Sequence, residues 1–328
     1  MTSHTSSPPG RAPSALWSKI TRVRTGGIYL ALVVLTAVAA LFVPAFLSPD
    51  NITNIMRTVA IVGIIAAGQT VVAISGGLAD LSVGSVVGLS GVLTLGLQPS
   101  LGVWPSAAVA LVVGLVVGFA NGVLVGRFRT NAVVTTIGTS VVVSGIALWY
   151  TNGNTIFGSS AAFSSLGTGS TFGVPNIVIA FIIVVVATHI VAARTELGRR
   201  LYATGGGYEA ARASGVRVQR VVQTAFILAA ATATLAGVLL AALLAQVNYD
   251  SGASYTFNSI AAVAVGGTSL FGGEGSVVRT VAGILIIGML NNIVVLLGLP
   301  LNAQVIVAGA AILGAVALDV QLAKRGRP

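Results

Sequence analysis

Long apolar runs separated by short polar segments fill the chain from residue 28 onward. A helix needs about 20 predominantly apolar residues to cross the hydrocarbon core of a bilayer. The third and eighth runs are short and rich in Gly, Ser and Ala, so both are candidates for half-helices or re-entrant segments. We predict an all-α polytopic membrane protein with ten segments, at residues 28–47, 55–74, 82–97, 103–126, 131–150, 174–193, 221–245, 258–270, 277–297 and 302–318.

Basic residues lie almost entirely on one side of these segments. With the N-terminus inside and all ten segments crossing, every Lys and Arg except Arg57 falls on the inner face. Because basic loops stay in the cytoplasm, both termini are predicted to be cytoplasmic. The chain divides into a flexible tail at 1–27, a transmembrane domain at 28–318 and a tail at 319–328. The run Ile28–Leu47 exceeds a signal-peptide h-region and indicates an uncleaved first span.

Composition agrees with lipid as the main solvent of the protein. Hydrophobic residues make up 55% of the 328 residues and charged residues only 7%, with a mean hydropathy of +0.98. A soluble domain carries roughly 25% charged residues, so a soluble enzyme, a secreted module and a disordered chain are excluded. The net charge of +10 sits at the ends of apolar runs. It therefore sets membrane orientation and does not indicate nucleic-acid binding.

Side chains for catalysis or ATP binding are nearly missing from the sequence. The chain has no Cys and two His, and neither His-Glu-x-x-His nor Gly-x-Ser-x-Gly occurs. Neither Lys19 nor Lys324 follows the Gly-x-x-x-x-Gly run of a P-loop. We predict a transport subunit that is not an enzyme and holds no metal or cofactor. If transport is driven by ATP, a separate ATPase chain binds it.

The acidic residues argue against an ion-coupled carrier. Such carriers usually place carboxylates or histidines at mid-membrane. All seven acids fall in predicted loops or at the ends of spans, with Asp80 expected to lie deepest. This pattern favours an external source of energy.

A short exposed helix is predicted within the long inner loop at 194–220. Tyr208–Ser214 contains good helix formers, Gly205–Gly207 precede it, and Gly215 follows in the position of a C-cap. Two interpretations are open at this point. The segment is either an interfacial loop with positive-inside charge or a helix that docks a cytoplasmic partner.

Two Gly-rich segments echo each other weakly along the chain. In both, a Gly pair precedes Gly-Ser-Val-Val and an acid lies nearby; the segments are Gly76–Val87 with Asp80 and Gly266–Val278 with Glu274. Transporters are often built from internal repeats. Gly, Ser and Val are common in this chain, however, so a repeat and chance similarity both stay open.

Taken in order, these motifs resemble the permease subunits of ABC importers, and more specifically the monosaccharide group that serves ribose, xylose and galactose. Glu209-Ala210-Ala211, three further residues and Gly215 look like the EAA loop of such permeases. Gly68–Ser85 and Ile260–Ser276 look like the two Gly-rich signatures of the sugar group, and segments 131–145 and 195–215 fit between them. The resemblance covers about residues 50–315.

Two departures from the family pattern are visible. Leu78 and Ala79 stand between Gly-Gly and Asp-Leu-Ser, where the family usually has one residue. Gly207 occupies a position that is often Asn in relatives. The first departure shifts Asp80 by one residue and indicates a subfamily with a different substrate.

The resemblance implies a pair of permease chains, as a homodimer or a heterodimer, in the bacterial inner membrane. Two cytoplasmic ATP-binding subunits would dock on the inner loops, and an extracytoplasmic binding protein would deliver a sugar. The implied coupling contact consists of Glu209, Ala210, Ala211 and Gly215.

Neutral polar side chains in or beside the spans are the candidates for a sugar path, because a sugar needs hydrogen bonds. Each of them has an alternative role in hydrogen bonds between helices, and we expect a minority to face the path. The candidates are Gln69, Asp80, Ser82, Asn121, Asn131, Asn258, Asn291 and Asn292.

Two other functions stay open. A permease for nucleosides or branched-chain amino acids would have similar helices and a similar docking loop. A self-sufficient channel or facilitator would conduct sugar as a lone chain without ATP.

Overall fold

The computed structural model describes residues 15–77, 79–158, 160–300 and parts of 302–317, with side chains from Gly26 onward. The described residues between 302 and 314 are helical. The elements before them are α1 (Ala15–Phe42), α2 (Pro49–Ile74), α3 (Val83–Leu101), α4 (Val103–Gly126), α5 (Ala132–Thr151), β1 (Ile156–Phe157), α6 (Ala161–Thr168), β2 (Ser170–Thr171), β3 (Val174–Pro175), α7 (Asn176–Arg194), α8 (Glu196–Gly206), α9 (Tyr208–Ala213), α10 (Val218–Leu244), β4 (Gln246–Val247), α11 (Ala253–Val265) and α12 (Val277–Leu296). The all-α prediction is confirmed, since each strand has only two residues.

Seven helices in the described part of the chain are long and apolar enough to cross a membrane: α2, α3, α4, α5, α7, α10 and α12. Shorter apolar helices lie at Gly26–Phe42, Ala253–Val265 and Val305–Gly314. Each of the ten predicted segments therefore overlaps an apolar helix. The eighth is short, as predicted, with 13 residues. The third differs from the half-helix expectation, because α3 extends over 19 residues to Leu101.

The structure describes only part of the predicted tails. Helix α1 begins at Ala15, inside the segment 1–27 that was expected to be flexible. Residues 1–14 and the predicted tail at 319–328 lie outside the described residues.

Helices α2, α3 and α10 form the centre of the molecule. Nearly every residue of α2 from Val59 to Ile74 is buried, and α10 packs against α2, α3 and α4. By contrast, α4, α5 and α7 expose large apolar side chains such as Val116, Val141 and Ile183. A helix that is apolar all round belongs either in a core or in lipid. These outer faces are therefore apolar surfaces suited to contact with lipid.

Small residues every four positions let α4 approach α10 closely. The stripe is buried along its whole length and consists of Ser106, Ala110, Gly114, Gly118, Gly122 and Gly126. A Cβ on Gly118 would lie 2.5 Å from Ala230 Cβ and 2.8 Å from Phe226 O. Small residues at this spacing let helix backbones come together in a membrane, where apolar side chains gain little by leaving lipid. The stripe sets the position of α4 on α10.

Two connections lie together at one end of the helices. Strand β1, which follows α5, pairs antiparallel with β4, which follows α10, so that Ile156 is opposite Val247. At the same connection, Thr168 O at the end of α6 accepts a hydrogen bond of 2.8 Å from Arg57 Nη2 on α2. Phe172 and Gly173 form the turn of the β2–β3 hairpin, both with positive φ, and Phe172 is fully exposed.

Gly118→Leu should destabilise the protein because the added side chain meets the α10 backbone. We expect the free energy of unfolding to fall by about 3 kcal/mol, as for a strongly overpacked core. A thermal unfolding scan of the purified protein in mild detergent measures the effect. Gly145→Leu on α5 is the matched control, because a Cβ on Gly145 meets no atom within 4 Å. Equal melting temperatures for the two variants would show that the α4–α10 contact is loose.

Candidate functional site

Four of the residues predicted for the substrate path lie in one buried network at the loop between α2 and α3. The Gln69 side chain on α2 hydrogen-bonds to both the N–H and the C=O of Asp80. Gln69 Nε2 donates to Asp80 O at 2.6 Å, and Asp80 N donates to Gln69 Oε1 at 3.0 Å. Both residues are 1% exposed. Because an unpaired buried backbone group is costly, Gln69 fixes the loop that follows α2.

The network continues from the Asp80 carboxylate to α4 and α5. Asp80 Oδ1 accepts hydrogen bonds from Ser82 N at 2.8 Å and from Ser82 Oγ at 2.5 Å. Ser82 Oγ accepts from Asn121 Nδ2 at 2.9 Å, and Asn121 Oδ1 accepts from Thr139 Oγ1 at 2.6 Å. Side chains from three helices therefore converge on this loop and hold it in one position.

No cation among the described residues forms an ion pair with Asp80. The carboxylate lies instead beside the N-terminus of α3, which begins at Val83. The positive end of the helix dipole and the two hydrogen bonds from Ser82 offset the cost of burying an acid. The described residues also contain no group of three metal-ligating side chains. Asp80 and its hydrogen-bond partners therefore act as a polar support for the loop between α2 and α3.

The other predicted path residues lie at three separate places. On α12, Asn291 Nδ2 donates to Asn258 Oδ1 on α11 at 3.3 Å, and Asn291 Oδ1 is buried with no partner in the described structure. Asn292 exchanges two hydrogen bonds with Asn51 on α2, at 2.7 and 3.1 Å. Asn131 is exposed, and its side chain caps the N-terminus of α5. The Asn pairs join helices to one another, and Asn131 caps the start of α5.

Sequence reasoning missed Asn51, Thr136 and Thr139. Thr136 Oγ1 accepts a hydrogen bond of 3.1 Å from Leu81 N, so α5 supports the same loop at a second point. The available signal was the spacing of the two threonines, because residues three apart share a face of a helix. Asn51 lies in the first turn of α2, where a polar residue is commonly explained as part of the helix start.

The prediction of a short helix in the 194–220 loop is confirmed, and the structure adds a second one. Helix α8 precedes α9, and Gly207 lies between them. Gly215 has φ +82° and ends α9, while Val216 N donates to Ala211 O at 3.0 Å. This left-handed end is the C-cap that the glycine indicated.

The predicted coupling residues point in two directions on α9. Glu209, Ala210 and Gly215 are exposed, whereas Ala211 is 4% exposed and packs against a buried cluster with Leu201 and Phe226. A helix of six residues has room for one buried side chain and an outer surface. Ala211 therefore holds α9 on the bundle, and its neighbours form the surface that a partner can reach.

Arg129 ties α9 to the end of α4. Its Nη2 atom lies 3.2 Å from Glu209 Oε1, and its Nε donates to Tyr208 Oη at 3.1 Å. The guanidinium also stacks 4.1 Å from the centre of the Tyr208 ring. The hydrogen bond to Tyr208, assisted by Glu209, raises the pKa of Arg129 above its ordinary value. Stacking and a hydrogen bond in one contact restrict the orientation of α9.

Glycines from three segments meet where α8 contacts the core. We call this contact the glycine junction; it consists of Gly76 after α2, Gly205 and Gly206 at the end of α8, and Gly272 and Gly273 before α12. Gly273 N donates to Ile74 O at 3.0 Å. A Cβ on Gly205 would run into Ile74 O and Gly273 N, and one on Gly272 would lie 2.6 Å from Gly76 Cα. The three backbones are therefore in direct contact.

Nearby side chains reinforce the glycine junction. Tyr202 Oη on α8 donates to Gly275 O at 3.0 Å, and burial raises the pKa of the Tyr202 phenol while the charge of Arg279 opposes that rise. Thr70 Oγ1 on α2 lies 2.9 Å from Thr280 Oγ1 on α12. Helix α8 thus contacts α2 six residues before Asp80 in the chain, through the backbone between Ile74 and Gly76.

The two echoing Gly-rich segments therefore meet in space. Residues 75–82 and 266–276 both connect one helix to the next, and both reach the glycine junction. Both segments are therefore in direct contact with the α8–α9 pair.

Most of the chain matches one protein family. Residues 51–316 match the family described as Branched-chain amino acid transport system / permease component. The chain belongs to this permease family. It is a multi-pass protein of the bacterial inner, or plasma, membrane, as predicted.

Relatives with assigned transport roles are similar along nearly the whole length. The Ribose import permease protein of Bacillus subtilis is 41% identical over 89% of this chain and 92% of its own. The L-arabinose ABC transporter permease protein of Azospirillum brasilense is 33% identical over 95% of this chain and 91% of its own. The D-allose transport system permease protein of Escherichia coli is 34% identical over 91% of this chain and 92% of its own. No solved structure matches the chain. The resemblance to sugar permeases of ABC importers is confirmed, and these relatives are transport subunits rather than enzymes.

Gln69→Met should destabilise the permease, because the Asp80 N–H and C=O would lose their buried partners. We expect the free energy of unfolding to fall by about 2–4 kcal/mol, measured by thermal unfolding in detergent. Gln246→Met is the control, because Gln246 is exposed on β4. A Gln69 variant as stable as this control would show that other groups hold the loop.

Gly205→Ala and Gly206→Ala should differ strongly although they change adjacent residues of α8. A Cβ on Gly205 meets backbone atoms from two other segments, whereas a Cβ on Gly206 meets nothing within 4 Å. We expect the thermal midpoint to fall for Gly205→Ala and to stay or rise slightly for Gly206→Ala, because Ala favours a helix. Similar midpoints would contradict direct backbone contact at the glycine junction.

Proposed function

We propose that the protein is the membrane-spanning subunit of an ATP-driven importer that carries a sugar delivered by an extracytoplasmic binding protein. The observation that carries this proposal is the exposed α8–α9 pair, which touches the core at the glycine junction, in a chain whose relatives are permeases for ribose, L-arabinose and D-allose. The sequence contains no P-loop. A separate ATPase chain therefore binds and hydrolyses ATP, and the permease needs no cofactor.

The contacts between connections support the ten-span orientation. The α8–α9 pair and the segments 75–82 and 266–276 meet at the glycine junction, and all three belong to the predicted inner face. The β1–β4 pair and the contact between Arg57 and Thr168 belong to the predicted outer face. Connections that contact each other in the structure are therefore predicted to lie on the same side of the membrane. With all ten segments crossing, both termini are in the cytoplasm.

The outer surface of α9 is the coupling contact in this proposal. Glu209, Ala210 and Gly215 face outward, and Ala211 holds the helix on the bundle. Closure of two ATPase subunits displaces α8 and α9 together, because Arg129 and the glycine junction restrict their independent movement. The displacement reaches the end of α2 through Ile74 and then the Gln69–Asp80 support.

The path for the sugar lies beside this support. A sugar is bound by neutral donors and acceptors, and the Ser82–Asn121 pair and Asn258 with Asn291 offer such groups. Asn291 Oδ1 retains an unused acceptor, which is the feature that favours this pair. Asn131 serves α5 as a cap and contributes least. A second permease copy completes the path.

A permease for branched-chain amino acids is the second candidate, because the description of the matching family names that substrate. The high similarity to three sugar permeases favours a sugar. Uptake of radiolabelled ribose, L-arabinose, D-allose, uridine and leucine into proteoliposomes that contain the complete transporter separates these substrates. Uptake by the lone chain without ATP would support the facilitator instead.

Ala210→Arg should weaken binding of the ATPase subunit without unfolding the permease. The new side chain occupies the outer surface of α9, so we expect the amount of ATPase that co-purifies to fall at least about tenfold, the effect of 1.4 kcal/mol. The measurement is mild-detergent purification from the native membrane with mass spectrometry of bound proteins.

Ala203→Arg is the matched control for this experiment, because Ala203 is an exposed alanine on the neighbouring helix α8. It should leave the ATPase bound. If both variants retained a stoichiometric ATPase, the assignment of α9 as the coupling contact would be wrong. If the unsubstituted chain carried no ATPase and transported without ATP, the importer proposal itself would fall.

A further inference from the structure

A cavity of about 490 Å³ lies between the first turns of α8 and the first two turns of α10. Its polar wall consists of Arg200, Arg217 and Arg220. Its apolar wall contains Leu197 and Val221. A concave site lined by three guanidinium groups over a buried apolar floor is suited to an anionic ligand.

Two of the three arginines of this cavity carry uncompensated charge. Arg200 pairs with Glu196 at 2.5 Å on the same helix. Among the described residues, Arg217 and Arg220 form no ion pair, and Glu209 is already engaged by Arg129. Guanidinium groups bind phosphate oxygens with paired hydrogen bonds. Two unpaired arginines in one concavity therefore attract a phosphate-type anion.

A second, smaller cavity of about 200 Å³ extends the basic surface. Arg212 lines it together with Arg217 and Arg220, and Tyr208 contributes its ring. The two cavities share two arginines, so the region of positive potential continues from the start of α10 toward α9. A phosphate bound beside Arg217 would face both cavities.

The position along α10 indicates which anion fits. Val221 and Thr224 line the larger cavity and lie in the first two turns of a helix that is long enough to span the membrane. Arg217 and Arg220 come just before and within the first turn. In the proposed orientation this level corresponds to the headgroup region, and Val221, which is 3% exposed, belongs to the buried floor of the cavity. The cavity borders the surface that we assign to the ATPase, because Gly215 after α9 lines it.

We propose that this cavity binds the phosphodiester headgroup of an anionic phospholipid of the inner leaflet. Arg217 and Arg220 hold the phosphate, and Arg200, which is paired with Glu196, completes the polar wall. The inner leaflet follows from the proposed orientation, whereas binding of the anion does not depend on the transported substrate. A bound lipid joins α8 to α10 and so resists displacement of the α8–α9 pair.

The test uses the full-length permease purified in a neutral detergent. Phosphatidylglycerol, phosphatidylcholine and inorganic phosphate are added separately, and the thermal midpoint and lipid retention by native mass spectrometry are measured. We expect phosphatidylglycerol to raise the midpoint and to be retained, and phosphatidylcholine to do neither. Protection by millimolar phosphate equal to that by the lipid would identify a free anion as the ligand and overturn the lipid assignment.

Arg217→Gln with Arg220→Gln is the test variant, and Arg194→Gln with Arg199→Gln is its control. Both pairs remove two exposed charges, but only the first pair lines the cavity. We expect affinity for phosphatidylglycerol to fall roughly tenfold or more in the test variant, since each basic residue near a membrane contributes about 1 kcal/mol. The control should bind as before.

Equal losses in the two variants would show a diffuse charge effect and no site. If the test variant does not fold, the comparison of phosphatidylglycerol with phosphatidylcholine on the unsubstituted protein still decides, and equal effects of the two lipids would end the proposal. Loss of the ATPase with unchanged lipid binding would assign the cavity to the partner protein. The importer proposal is tested separately by ATPase co-purification from the unsubstituted chain, so either can fail alone.

Discussion

Close approach of backbones is the constraint on which this structure depends. Lipid tails are as apolar as the helices, so burial of apolar side chains does little to bring spanning helices together. Glycine removes the side chain that would separate them. Along α4 the stripe from Gly114 to Gly126 allows contact with the α10 backbone, and at the glycine junction the same property joins three chain segments. The centre of the protein and the base of the α8–α9 pair therefore rest on one kind of contact.

This constraint also explains how a short surface helix can act on a buried loop. Gly205 touches the backbone at Ile74, and the chain continues from there to Asp80, which Gln69 holds by two hydrogen bonds. Flexible side chains between two elements absorb small displacements by changing rotamers. Backbone contacts lack that freedom, so α8 and the end of α2 are rigidly joined at this point.

The apolar segments were predictable because length and hydropathy are local properties, and each of the ten overlaps a helix. Helix α9 was predictable from its flanking glycines. Helix α8 was not, because Gly198, Gly205 and Gly206 are poor helix formers and close contacts with the core hold this helix in place. The inward direction of Ala211 and the pairing of Gln69 with Asp80 depend on contacts between elements, which no periodicity reports. The path candidates therefore divided into one network, two Asn pairs and a cap.

The buried Asp80 sets an order for assembly in the membrane. Its backbone is held by Gln69 and its carboxylate by Ser82. Asn121 on α4 and Thr139 on α5, which are made later, reach the carboxylate only through Ser82. A carboxylate that enters hydrocarbon without partners is costly. The hydrogen bonds that support the loop at 75–82 are complete only when α5 has been synthesised, because Thr136 on that helix accepts from Leu81 N.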